Sequence, residues 1–296
     1  ALEMDLFYAV IRLKLACKML NRRNMMELPY DLQNMPAVMA LVQGDSLQAE
    51  PLVQLYMLIY QLLEAGDRQI FTAIRDLLEQ HPQIEREEVH TAISYLHNFA
   101  TTKVRQGNAD YWQLIHQIDR FWTSRGTFQH NISIVQFNNI VNAAALSKAF
   151  DWAAAFIQDH QSALPETFRA STVCLSNAIL AFEQKQFQQA LNWLAKGDFK
   201  TLLEILRARS LFLRAHYEAH DESIDLVDQC ILFERYLKQH NSPRREAVSA
   251  TLNFVKILKM LVRRKAPKAK IWETLQAAKP IYFRPWLLEK LGQYRG

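Results

Sequence analysis

Ser147-Lys148-Ala149-Phe150-Asp151-Trp152-Ala153 is echoed 37 residues later by Gln184-Lys185-Gln186-Phe187-Gln188-Gln189-Ala190. In each stretch an aromatic residue (Phe150, Phe187) is followed three positions on by a small Ala (Ala153, Ala190). A large apolar residue (Ile157, Leu194) comes one turn later. Each stretch also follows a long segment whose apolar residues recur every three or four positions, which is the helical signal. A helix, a short turn and a second helix repeated in this way constrain the architecture more than any other feature of the chain. Stacked units grow in one dimension, so 296 residues need not divide into the two globular domains that length alone suggests.

Composition agrees with a helical reading. Only 7 Gly and 9 Pro punctuate a chain that is 50% hydrophobic, which favours helices joined by short connections over a many-stranded sheet. Leu6, Val10, Leu13, Cys17 and Leu20 mark one face of an opening helix, and a short helix is predicted near 37–42. Helix pairs are then predicted over 51–65 with 68–80, 85–106 with 109–123, and 132–148 with 150–162. Three more follow over 166–183 with 187–196, 199–218 with 222–239, and 244–265 with 268–278. A last short helix is expected near 285–291. Short turns imply antiparallel neighbours. Taking Leu114, Ala153, Ala190 and Ile224 as equivalent positions gives steps of 39, 37 and 34 residues, so the period drifts.

These residues resemble the tetratricopeptide family, whose unit is about 34 residues. With Ala153 at the family's small position, Phe150 falls on its preceding aromatic and Pro165 on its closing proline. Phe137 and Ile140 fall on the aromatic and leucine of the first helix, and Phe187 with Ala190 repeats two of the matches. The resemblance covers about 132–240 and extends loosely over 51–125. The chain departs from the pattern at Val141, where the family has glycine, and several units lack the closing proline. The resemblance implies an all-α, right-handed α-α superhelix of about six helix pairs. It would form one domain over 1–296, with an N-terminal capping region (1–50), repeats (51–240) and a basic C-terminal pair and cap (241–296). It also implies a concave groove built from first helices, with Asn138, Asn142, Lys103, Arg209 and His216 as candidate partner contacts. Amides one turn apart can bond an extended peptide backbone, and the cations can pair with its carboxylates. The competing reading is that these side chains form only the solvated sides of helices.

Charge is uneven along the chain. Residues 1–240 hold 22 Lys and Arg against 27 Asp and Glu, whereas residues 241–296 hold 13 against 3. The basic residues concentrate at Arg263, Arg264, Lys265, Lys268 and Lys270, with Arg244 and Arg245 at the far end of the same helix. Such a cluster suits an acidic protein segment or the phosphates of a nucleic acid or membrane surface. Cations near a helix C-terminus are also expected from the helix dipole alone.

Motifs for catalysis are thin. No Gly-rich phosphate loop, nucleophile elbow or paired-histidine protease motif occurs. His216 and His220 stand one helical turn apart, followed by Asp221, Glu222, Asp225 and Asp228. Two histidines without fixed further ligands are a weak metal signal, and the acids more simply complement a helix start. Glu87 and His90 match half of a di-iron motif whose second half is not seen. Most of the six Trp residues (Trp112, Trp122, Trp152, Trp193, Trp272, Trp286) are expected in helix packing, and the packing reading is least secure for Trp286, which follows Arg284-Pro285 in the last, most exposed element. Cys17, Cys174 and Cys230 read as reduced core thiols, which points to a reducing, cytoplasmic setting. No secretory leader is visible and no apolar run approaches the ~20 residues of a membrane span. The functional expectation is a non-enzymatic protein- or peptide-binding module without metal or cofactor. Nucleic-acid binding through 241–296 and a metal-dependent enzyme at His216/His220 stand as alternatives, and the oligomeric state is left open.

Overall fold

The computed structural model describes residues 2–26, 32, 34–129, 131–220, 224–239 and 245–294. Among the described residues the chain is helical, with no strand. It divides into two compact units, Ala1–Thr127 and Phe128–Gly296, where the sequence reading expects one continuous array.

The first unit contains α1 (Leu2–Met26), α2 (Met35–Val42), α3 (Asp45–Gln48), α4 (Pro51–Ala65), α5 (Ile70–Gln80), α6 (Arg86–Arg105) and α7 (Tyr111–Ser124). Here α1, α4 and α6 pack on one another, α5 lies on α4, and α7 lies on α6. α1 is therefore a full member of the core, beyond the capping role expected for 1–50. Its inner face is Ala9, Leu13, Ala16, Cys17 and Leu20, all buried. A polar group staples the three helices. The Glu88 carboxylate of α6 pairs with Lys14 of α1 and accepts a hydrogen bond from the Tyr56 hydroxyl of α4. Burial, reinforced by Glu88, drives the Tyr56 pKa upward.

The second unit contains α8 (Ile134–Leu146), α9 (Phe150–His160), a 3-10 turn (Gln161–Ala163), α10 (Glu166–Glu183), α11 (Phe187–Lys196) and α12 (Leu202–Ala219). α13 (Leu226–Gln239), α14 (Arg245–Arg263), α15 (Lys268–Ala277) and α16 (Arg284–Gln293) complete it. Each helix packs on the next in sequence, and alternate helices also meet: α8 with α10, α10 with α12, and α12 with α14. Local caps fix the starts. Ser133 Oγ accepts from Gln136 N–H, and Thr201 with Glu204 forms a reciprocal capping box.

The Phe150/Phe187 echo is one turn built twice. Lys148 after α8 and Lys185 after α10 both adopt left-handed backbone, at φ 61° and 62°. Lys148 N–H donates to Ala145 O at 3.0 Å and Ala149 N–H donates to Ala144 O at 2.9 Å. Lys185 and Gln186 repeat the pattern onto Phe182 and Ala181 at 2.9 Å each. This is Schellman closure, which satisfies the last helical carbonyls and reverses the chain. The end of α6 does the same with Gly107 at φ 99°. Phe150 and Phe187 then open the returning helices, and Ala153 and Ala190 are fully buried.

Buried hydrogen bonds join the alternate helices of the second unit. Ser176 Oγ of α10 donates to Asn138 Oδ1 of α8 at 2.9 Å, and Asn138 Nδ2 donates to Ile134 O at 3.1 Å. Ser171 Oγ of α10 donates to Glu204 Oε1 of α12 at 2.7 Å. On the surface, Arg207 Nη2 of α12 also donates to Asn139 Oδ1 of α8 at 2.9 Å.

The turn geometry yields a test. Left-handed backbone penalises a Cβ by about 1 kcal/mol, and glycine escapes that penalty. Lys185→Gly is expected to raise the unfolding free energy by about 0.5–1 kcal/mol, after the entropy glycine adds to the unfolded chain. Urea denaturation measures the gain, and Lys148→Gly should behave alike.

Candidate functional site

α14 ends at Arg263, Arg264 turns through left-handed backbone (φ 49°), and Pro267 in extended conformation starts α15. Proline suits this boundary because it has no N–H to leave unbonded. The turn gathers Arg263, Arg264, Lys265, Lys268 and Lys270 at one end of the hairpin, and all five are exposed. None forms an ion pair with a carboxylate among the described residues. The dipole of α14 accounts for Arg263 and its neighbours. It does not account for Lys268 and Lys270, which stand in the first turn of α15, where no acid accompanies them. Positive charge at a helix N-terminus is electrostatically unfavourable, so this end of the hairpin concentrates positive potential, with Glu273 the one acid on α15.

Beside the cations lies Trp272, with 48% of its surface exposed. It borders a hollow of about 370 Å³ whose walls include Lys268, Glu273, Leu288, Leu291 and Gly292. Lys268 Nζ donates to Gly292 O at 3.1 Å, which ties α15 to the end of α16. α16 is anchored from below by a cluster on α12. Trp286 Nε1 donates to Glu218 Oε1 at 2.6 Å, and the buried Lys290 meets the same oxygen at 2.7 Å. The Arg214 guanidinium lies 4.2 Å from the Phe182 ring, 4.5 Å from Phe283 and 5.4 Å from Trp286. Burial lowers its pKa to about 10, against the opposing pull of Glu183 at 3.7 Å.

Trp286, despite its place in the last helix, is 9% exposed and bonded as the packing expectation has it, whereas Trp272 faces solvent and departs from it. The spacing of Ile271 and Leu275 was the available signal. Both are fully buried, and one residue beyond Ile271 lies about 100° around the helix.

Within the second unit the concave-face candidates do not form one surface. Asn138 is 1% exposed and both ends of its amide are engaged, so it is a packing residue and offers nothing to a partner. His216 is also buried (8% exposed), with its ring 4.3 Å from Phe212. An alternate helix in this stack has neighbours on several sides, so its small polar residues meet another helix where a groove was expected. Asn142 is half-buried. Lys103 belongs to the first unit, where it lies over Phe99 and against Gly66. Arg209 is exposed, with its guanidinium 4.8 Å from the Tyr236 ring. It borders a second hollow of about 420 Å³ with Phe212, Phe233 and the 51%-exposed Leu232.

His220 ends α12 in left-handed backbone, and Asp221 and Glu222 lie outside the described residues, as does Arg244. Among the described residues no group of three or more His, Cys, Asp and Glu side chains is placed to hold a metal ion. Cys17 and Cys230 are buried, with burial pushing each thiol up to about 12, so neither is poised as a nucleophile. His97 Nε2 meets Asp119 Oδ1 at 2.9 Å, joining α6 to α7 beside the Trp122 ring. Among the described residues no helix is long and apolar enough to cross a membrane.

No family model matches the chain, and neither a curated protein nor a solved structure matches it. Among the described residues the fold and surface define an all-α protein of packed helical hairpins with a basic end on its second unit.

Two expectations follow. Asn138→Ala strips Ser176 of its buried acceptor and should lower stability by about 1–3 kcal/mol, whereas Asn142→Ala should stay within about 0.5 kcal/mol. Chemical denaturation of the two variants separates packing from surface. The second concerns acid. Burial, helped by Arg120, lowers the His116 pKa from 6.5 to about 4. The native state therefore keeps this imidazole neutral while the unfolded chain protonates. Its contribution is complete above about pH 6.5 and falls away as pH drops towards 4. His116→Gln should flatten the stability profile across that window, read as the melting temperature against pH.

Proposed function

We propose that this chain is a non-enzymatic helical-repeat module that binds an acidic protein segment through the α14–α15 end of its second unit. The observation that carries the reading is the juxtaposition of Arg263, Arg264, Lys265, Lys268 and Lys270 with exposed Trp272 and the adjoining hollow. Cations steer and orient an acidic partner, while a half-exposed indole beside an apolar recess receives an anchoring side chain. In this reading the second unit is a tetratricopeptide-like stack. Its support is the packing of each helix on the next and on alternate helices, together with the duplicated turns at Lys148 and Lys185. The binding surface moves from the first helices to the end of the stack, because Asn138 and His216 are interior.

Nucleic acid is the second reading, favoured by the same five cations beside an aromatic ring able to stack on a base. A displayed peptide library panned on the intact protein distinguishes the two. Selection of Asp/Glu-rich peptides carrying an aromatic or Leu is expected, with affinity reduced about 10-fold by Trp272→Ala. Lys265→Ala/Lys268→Ala should reduce it as well, and lessen its salt dependence. Selected peptides without acidic enrichment would sink the reading. So would a single-stranded oligonucleotide that binds more tightly and with a steep salt slope, which would favour the nucleic-acid alternative.

A further inference from the structure

α1 has two apolar faces, and only one of them is covered. The buried side is Ala9, Leu13, Ala16, Cys17 and Leu20. On the opposite side Met4 is 70% exposed, Phe7 62%, Tyr8 47%, Ile11 45% and Leu15 45%. Their spacing of three and four residues makes a single stripe along three turns. Scattered exposed apolar residues are ordinary, but a contiguous stripe of five large side chains on one helix is not.

Charge along α1 is polarised. Glu3 and Asp5 stand in its first turn, Arg12 and Lys14 flank the stripe at mid-helix with Lys14 paired to Glu88 of α6, and Lys18 and Arg22, both exposed, continue the line of the stripe beyond Leu15. From these features the geometry points to a second copy of this chain as the occupant, with two α1 helices packed antiparallel about a twofold axis near Ile11. That arrangement sets Phe7 of each copy against Leu15 of the other, and Ile11 against its own counterpart. It also lays Glu3 and Asp5 of each copy towards Lys18 and Arg22 of the other. Parallel pairing would place acid on acid and base on base. The same patch serves both partners, as a twofold interface requires.

The area suffices. The five side chains leave roughly 500 Å² open per copy, and with the stems of Lys18 and Arg22 complete coverage of two copies removes at most roughly 1,200 Å², the lower edge of stable specific interfaces. The pairing is accordingly a modest, concentration-dependent dimer, held by apolar contact and oriented by charge.

Sedimentation equilibrium of the full chain across about 1–100 µM tests the proposal. The wild-type mass should rise with concentration towards twice the 34.5 kDa chain mass. Ile11→Glu places a carboxylate at the axis and should weaken association about 100-fold or more, leaving helical circular dichroism unchanged because the site is exposed. Ile11→Cys should form an intermolecular disulfide on mild oxidation, since the axis brings that position opposite itself, whereas Phe7→Cys alone should not. A wild-type chain that stays monomeric at 100 µM overturns the proposal. So does a dimer indifferent to Ile11→Glu, or one cross-linked better through Phe7→Cys than through Ile11→Cys.

Discussion

A helix in a stack of hairpins buries its apolar flanks only against its neighbours, and most of the second unit follows from that constraint. α10 is covered by α8, α9, α11 and α12, so small residues such as Ala178 and Ala181 can sit at its contacts and be fully or nearly fully buried. A helix that lacks a neighbour must find another way to cover its flank. α16 does so by folding back, with Leu287 and Leu291 in the core shared with α12–α15 and Trp286 bonded to Glu218. α1 in the first unit buries one face on α4 and α6 and leaves the other in water.

Apolar stripes alone would let packed helices slide by a turn, because Leu and Ala fit many registers. The buried polar bonds remove that freedom. Asn138–Ser176 and Ser171–Glu204 each satisfy a group that would otherwise be stranded away from solvent, so a slipped register would cost about 1–3 kcal/mol per lost partner. Arg214 works similarly towards the other end of α12. Its charge is caged by three aromatic rings and opposed by Glu183, so only one docking of α16 completes its surroundings. Such a cluster contributes little net stability compared with apolar packing and much more to uniqueness.

Helix positions were legible because their signals are local. Pro51, Gly66, Gly107 and the Phe150 and Phe187 turns lie within a residue or two of where periodicity and turn chemistry put them. The facing of side chains was less legible. α1 is apolar around most of its circumference, so periodicity could not choose between Leu6 and Val10, which are half-buried, and Ala9 and Ala16, which are the interior residues. Asn138 read as a groove residue because the repeat register set it and Asn142 on a first helix rich in amides. Its partner Ser176 lies 38 residues away, and no local pattern announces such a pair. The division at Thr127 and Phe128 was hidden for the same reason, since repeats in sequence do not reveal that α1, α4 and α6 pack as a trio.

The two surfaces inferred to bind are the places where coverage fails, and they fail in different ways. The α14–α15 turn is uncovered electrostatically, because Lys268 and Lys270 stand against the dipole of the helix they begin. α1 is uncovered hydrophobically, with Arg12 and Lys14 flanking the middle of its stripe and further charge at either end. Salt acts on them in opposite directions. Screening at about 0.5 M shortens the reach of the exposed cations to a few ångströms, so binding at the basic turn weakens. Apolar association along α1 persists, and salts excluded from protein surface strengthen it. One ionic-strength series on the intact chain therefore separates the two surfaces without a mutation, because a single site cannot both lose and keep its occupant as salt rises.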